Sequence, residues 1–323
     1  MQDTGLITSF SIEENGQAHK LDWDGIRDWE PSNGILWVHL DYNHPESIRW
    51  LENESNLDSI VIEALSAEET RPRYAVIDIG LLITLRGVNL LPDSEPQDMV
   101  AIRIWLEKNR VITTRGRYIR SEDNLKISCM KGQGPVSTPE FLTNLSSHML
   151  SNMSDVIDTI DDNVNCIETD LTDTNISVSQ DSLSNLRKKI ITLRRHLAPQ
   201  RDVLLRLGTE RIRWFTERDN LYLKEIADII IRYIEDLDEA KDHISIIQEQ
   251  ILNRISYLAN KRMYYLSIIA SIFLPLSFIT GLLGINVAGI PGATYPYAFG
   301  IVALTLLIIG LIFFFILKLK KWM

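Results

Sequence analysis

Two sets of side chains recur at every seventh position through the last third of this 323-residue chain, and together they compose a surface a metal cation can use. One reads Asp228, Glu235, Asp242, Glu249, Ser256, Met263, Ala270, Ser277 and Gly284; its companion reads Arg232, Glu239, Ile246, Asn253, Asn260, Ser267, Leu274 and Gly281. The carboxylates Asp228, Glu235, Glu239, Asp242 and Glu249 would lower the energy of an approaching divalent cation. The amides and hydroxyls that follow can hydrogen-bond a hydrated ion without holding it too tightly to leave. Met263 and Leu274 are apolar constrictions of the kind that gate by dewetting, or else ordinary packing residues; the acids serve equally as a water-exposed helix face. His243 adjoins Asp242 and, with Glu239, is a candidate for metal or proton binding.

A single long helix has to carry both sets. From Asn220 to Pro275 there is neither proline nor glycine before the last residue. An apolar stripe runs along the same stretch, with Ile230, Leu237, Ile244, Ile251 and Leu258 reinforced by Ile226, Tyr233 and Ile247. Glu235 and Leu237 are separated by about 200° around a helix, so acid and apolar stripes fall on opposite faces. Residues 263–283 and 297–317 are each 21 long and uncharged, enough for two membrane spans at about 20 residues apiece. The connector, 284–296, is also uncharged but keeps Asn286, Thr294 and Tyr295 among Gly284, Gly289 and Gly292, with Gly300 beyond. A polar stripe entering a bilayer normally faces a cavity or a partner. Two spans cannot enclose a pathway, so several copies are required. Lys261 and Arg262 precede the first span and Lys318, Lys320 and Lys321 follow the second, which keeps both chain ends cytoplasmic, with Trp322 at the interface.

The chain upstream divides at about residue 135. Before it, 34–40 (GILWVHL), 74–90, 99–107 and 110–114 are rich in Val, Ile, Trp and Thr and read as strands, whereas 45–54 and 57–69 read as helices; such mixing predicts an α/β or α+β layer fold. From Thr138 the period becomes helical. Leu142, Leu145, Met149, Val156, Ile160, Ile167 and Leu171 form one apolar face, and Leu183, Leu186, Ile190, Leu193, Leu197, Leu204 and Leu207 another, on either side of the polar run TDTNISVSQ. Two long antiparallel helices follow, the second kinked at Pro199. Asp155, Asp158, Asp161, Asp162, Glu168, Asp170 and Asp173 mark the first as either a solvated acidic face or a cation-attracting rim. The domain plan is therefore 1–135, an α/β domain; 136–262, a helical region with the stalk helix; and 263–323, the membrane domain.

With these residues in place, the run IFLPLSFITGLLGIN (272–286) resembles the signature of the CorA superfamily of divalent-cation transporters, whose first membrane helix ends in Gly-Met-Asn or a variant. NVAGIPGATYPYAF, from Asn286, and HLAPQRDVL, from His196, resemble the ZntB zinc-transporter branch more than the magnesium branch. The resemblance covers the whole chain in organisation and is specific over 272–299. It implies a funnel-shaped homopentamer in a bacterial inner membrane, with an α/β cytosolic domain, long antiparallel helices and a two-helix C-terminal transmembrane segment. It implies also that Gly284, Ile285 and Asn286 form the selectivity motif, a ring of neutral amides at the outer mouth, and that transport is proton-coupled. Ile285 departs from the family, where magnesium members usually have Met and zinc members usually Val. The transported ion implied is Zn2+, with Cd2+, Ni2+, Co2+ or Mg2+ as alternatives and no cofactor. A magnesium or cobalt channel and a membrane-anchored metal sensor are the competing readings. The basic tail is a topological anchor or, by the resemblance, part of a collar around the lower pore.

Composition narrows the rest. The last 61 residues hold three lysines and no acid, so against a net charge of −10 the first 262 carry −13. That acidity argues against a nucleic-acid partner. Two cysteines, Cys129 and Cys166, suggest no disulfide framework, and the N-terminus has no basic segment followed by an apolar one, so no cleavable leader is expected. No Gly-rich phosphate loop, Gly-x-Ser-x-Gly elbow or His-Glu-x-x-His motif points to an enzyme. His39 and His44 flank Asp41, but a zinc site wants three or four converging ligands and His39 reads as a strand end. His148 and Cys166 share a helix face about 27 Å apart, too far to bind one ion within a chain.

Overall fold

The strand-forming residues of the first 135 assemble into one mixed sheet. The computed structural model describes residues 5–68, 71–91, 95, 98–172, 180–285, 290, 292 and 295–319. The strands are β1 (Leu6–Ile12), β2 (Ala18–Lys20), β3 (Ile35–Asp41), β4 (Arg73–Ile77), β5 (Gly80–Gly87), β6 (Val100–Leu106) and β7 (Arg110–Arg115), in the order β2-β1-β3-β7-β6-β5-β4. The pairing of β3 with β7 is parallel and the other five are antiparallel. The run 74–90, read as one strand, is a hairpin: Asp78 turns the chain at φ +48 and leaves Ile79 exposed between β4 and β5.

Alternation along β3 assigns the two faces. Leu36, Val38 and Leu40 join Ile112 of β7 in a core shared with Trp50 and Leu51 of α2 (Pro45–Asn53) and Val61 and Leu65 of α3 (Ser59–Ser66). Trp37 points the other way, stacked on Phe10 at 5.9 Å and edge-on to Phe141 at 5.1 Å. Phe141 belongs to α5 (Thr138–Thr172), the first long helix, and α4 (Arg120–Met130) packs beside it. The strands β1 and β2, the short α1 (Trp23–Arg27) and α4 are additions to what the sequence patterns indicated.

Side chains fix where the long helices begin. Ahead of α5, the Glu140 N–H donates to Ser137 Oγ (3.2 Å) and Glu140 reaches back to the Val136 N–H (2.8 Å), a capping-box arrangement with Pro139 in the first turn. α6 (Gln180–Leu207) runs unbroken through Pro199 and ties to the sheet where Gln200 accepts from the Arg86 N–H at 2.7 Å. Gly208 then lets the next helix come close, since a Cβ there would sit 3.1 Å from the Asn220 carbonyl. That helix, α7 (Glu217–Leu283), is capped reciprocally by Thr216 and Asp219 and continues for 67 residues through Pro275. α8 (Ala298–Leu319) follows.

The chain forms two compact units, Met1–Ile246 and Ile247–Met323. The first holds the sheet, α1 to α6 and the N-terminal part of α7. In the second, Leu276 of α7 approaches α8 at Gly310, where an added Cβ would lie 3.7 Å from its Cδ1. Among the described residues two helices are long and apolar enough to cross a membrane: α7, with a window of mean hydropathy 2.2, and α8, with 3.0.

Candidate ion-conducting face

The two faces of α7 separate as the heptads require. Ile226, Ile230, Leu237, Ile244 and Ile247 are buried, Tyr233 and Ile251 half-buried, and Leu258 exposed. Asp228, Glu235, Glu239, Asp242 and Glu249 are all exposed, as is Arg232. In the first unit α7 is held to its neighbours by Arg194 of α6 against Asp238 at 2.8 Å and by Tyr233, whose hydroxyl donates to the Leu150 carbonyl of α5 at 3.5 Å.

Asp158 and Asp161 of α5 meet Asp236, Glu239 and His243 of α7 around a cleft of about 180 Å3. Partial desolvation raises the Asp236 pKa from its ordinary value, and Asp161, Glu239, Glu235 and Asp158 add to the rise. Asp236 was not singled out in the sequence; acids at helical spacing on both helices were its only signal. Because the folded-state pKa is raised, the ionised form is disfavoured by folding above both pKa values, and this penalty disappears where the group is protonated in both states. Asp236→Asn is therefore expected to raise the melting temperature at pH 7, by an amount that shrinks with added salt and as the pH falls through the raised folded-state pKa, and that has vanished below about pH 4; thermal melts across pH and salt would read this.

His243 stands 3.9 Å from Glu168 of α5, longer than a coordination contact, while Asp242 pairs with Lys241 at 3.6 Å. Among the described residues no three His, Cys, Asp or Glu side chains converge as a metal centre. His39 and His44 diverge: His39 is buried, and His44 accepts from the Glu46 N–H at the start of α2. Cys129 is buried and Cys166 exposed, both unbridged.

In the second unit Asn253, Ser256, Asn260, Met263, Ser267, Ala270, Leu274, Ser277, Gly281, Gly284 and Ile285 are all exposed. So is most of this unit, including Phe273, Phe278, Leu304 and Leu307; apolar surface on this scale needs lipid or further protein to cover it. The Ser and Thr hydroxyls on and off the stripe differ in hydrogen bonding. Ser271, Thr280 and Thr305 turn back to carbonyls of their own helix, at 2.8 to 3.0 Å. Among the described residues the hydroxyls of Ser256, Ser267 and Ser277 and the amides of Asn253 and Asn260 form no side-chain hydrogen bond.

α7 closes at Gly284, whose N–H donates to the carbonyls of Thr280 (2.9 Å) and Gly281 (3.2 Å). Among the described residues a Cβ at Gly281 or Gly300 would touch nothing, whereas Gly292 sits at φ +83, a conformation that favours glycine. Asn286, Gly289, Thr294, Lys320, Lys321 and Trp322 lie outside the described residues, and Lys318 falls in the last turn of α8.

An α/β unit, paired long helices, and a stalk helix continuing as the first of two apolar spans define a membrane protein with a large extramembrane domain. The family model of CorA-like Mg2+ transporter proteins matches residues 32–321, and the chain belongs to that family. It is 34% identical over 323 residues, covering all of this chain and 98% of the relative, to the zinc transport protein ZntB of Yersinia pseudotuberculosis (serotype O:1b, strain IP 31758). It is 36% identical over 308 residues to the divalent cation transporter CmaX of Pseudomonas aeruginosa (94% of this chain, 92% of the relative). The solved structure of full-length CmaX superposes with a TM-score of 0.87 at 34% identity, covering 100% of this chain and 99% of that one.

Proposed function

We propose that this chain carries divalent cations, zinc first among them, across a bacterial inner membrane through a pore formed where several copies bring their α7 stripes to a common axis. The observation that supports the reading is the stripe itself: exposed acids from Asp228 to Glu249, then amides and hydroxyls that form no side-chain hydrogen bond among the described residues, where the apolar span begins. Such groups can replace part of an ion's hydration without trapping it. Neither His nor Cys lies on the stripe, so zinc, which favours those ligands, would pass largely hydrated, with weak discrimination against cadmium, nickel and cobalt. Residues 1–135 and 136–262 form the cytosolic part and 263–323 the membrane part; both termini are cytoplasmic, and the assembly is a homopentamer as the CorA resemblance implies. Asn286 ends the pathway outside, while Met263 and Leu274 are its apolar gates. The basic tail anchors the second span.

The name of the matching family model favours a second reading, a magnesium channel. Flux into liposomes holding the purified protein separates the two. Zinc entry enhanced by an inward proton gradient is the expected result and would direct attention to His243, Asp242 and the stripe acids as proton carriers. Magnesium entry indifferent to pH would sink the zinc reading and make Ile285 the residue to explain. Zinc flux unmoved by the gradient would remove proton coupling alone.

A further inference from the structure

The first unit contains a buried cation with no counter-ion among the described residues. Arg103, on β6, is 1% exposed, and among the described residues no carboxylate comes within ion-pair distance of it. Its Nη atoms donate to the main-chain carbonyls of Ala67, Glu68 (2.9 Å) and Ala101 (3.5 Å), and its guanidinium lies 4.5 Å from the centre of the Tyr42 ring. Its Nε is buried with no acceptor. A buried charge is normally paired, and an N–H left without a partner usually marks a group that belongs there.

Arg103 lines a cavity of about 420 Å3 together with Arg86 of β5, Arg117 just beyond β7 and His196 of α6. Burial lowers the Arg103 pKa; the Tyr42 phenol opposes this, and Arg86 and Arg73 reinforce it. His196 is pushed down to about 4, first by burial and then by Arg86, Arg195 and Arg71, so it is a neutral imidazole at physiological pH. Three arginines thus line one cavity in a chain of net charge −10. Among the described residues, the carboxylates that line it, Glu68 and Asp98, are both exposed.

The geometry points to a binding site for a small phosphate-bearing anion in this cavity. Guanidinium groups match the oxygens of a phosphate in a way a spherical halide cannot exploit, and a neutral imidazole adds a hydrogen-bonding group at no electrostatic cost. The cavity is larger than a phosphate group alone, leaving room for the organic part of a phosphomonoester. The site is independent of the transport reading, since it uses no residue of the α7 stripe.

The test is calorimetric titration, with thermal melts alongside, of the full-length protein in detergent and metal-free buffer. The probes are inorganic phosphate, adenosine monophosphate and, at matched ionic strength, chloride. Expected is saturable binding and stabilisation by phosphate or the monophosphate but not by chloride, weakened at least about tenfold by Arg117→Ala, an exposed position that leaves the core intact. Tighter binding of the monophosphate would identify an organic phosphate as the occupant; equal binding would identify the inorganic ion. Arg103→Met should abolish binding, and Arg117→Ala carries the test if that variant fails to fold. Absence of saturation, an equal response to chloride, or unchanged affinity in Arg117→Ala would each overturn the assignment.

Discussion

Replacing Asn286 with alanine is expected to reduce zinc flux into proteoliposomes by about ten- to a hundred-fold while the oligomer still assembles. A hydrogen bond to a charged partner is worth about 1.5–3 kcal/mol net, and each 1.4 kcal/mol is a factor of ten in rate. In the proposed pore the amide meets the ion's hydration shell where α7 has just closed at Gly284, so every ion must pass it. Asn286→Asp separates the amide's role from mere polarity: a ring of carboxylates should bind zinc more tightly and release it more slowly, lowering maximal flux although binding improves. Ser277→Ala, removing one of several hydroxyls along the stripe, should cost far less. A membrane-anchored sensor without transport predicts no flux difference among the three. Size-exclusion profiles run beside the flux assay keep a failure of assembly from being mistaken for a failure of conduction.

The parts of this fold that the sequence discloses are those whose signal is local and periodic. The start of α5 at Thr138, the extent of α6 and the opposed faces of α7 follow from repeats at three, four and seven, and the end of α7 at Leu283 from the uncharged run 263–283. β1 escapes because its buried face is disguised: Thr8, Ser9 and Ser11 are buried beside Phe10 and Ile12, so the polarity alternation that marks a strand is absent. α4 escapes because its composition, RSEDNLKISCM, reads as solvated while Ser121, Glu122, Leu125 and Cys129 are buried. The site divides likewise. The stripe lies on one helix and is visible as spacing, whereas the acid cleft joins two helices and the arginine cavity draws on β5, β6, the segment after β7 and α6. Contacts between residues tens of positions apart leave no periodic trace.

Glu122 is the plainest case of such a contact, and its removal should be the most damaging single change to the first unit. Its Oε2 lies 2.8 Å from His39 Nε2 and 2.7 Å from Arg115 Nη1, close ion-pair approaches without the alignment of a hydrogen bond. Beyond His39 the network continues: Nδ1 and the Thr113 hydroxyl are 2.7 Å apart, and Trp37 Nε1 donates to that hydroxyl at 2.9 Å. Arg115 also faces the Tyr118 ring at 5.1 Å. Glu122 and His39 are 4% and 1% exposed, so water cannot substitute for a lost partner. Breaking a buried pair by deleting one member costs about 3–5 kcal/mol, because the other charge stays buried and uncompensated. Glu122→Ala is accordingly expected to lower the melting temperature of the purified protein by several degrees and to open the β3–α4 region to proteolysis. Glu122→Gln keeps the volume and an acceptor oxygen but not the charge, and should fall between the two. If Glu122→Ala melted like the parent protein, the carboxylate would be dispensable and the Trp37–Thr113–His39 hydrogen bonds alone would hold this face of the sheet.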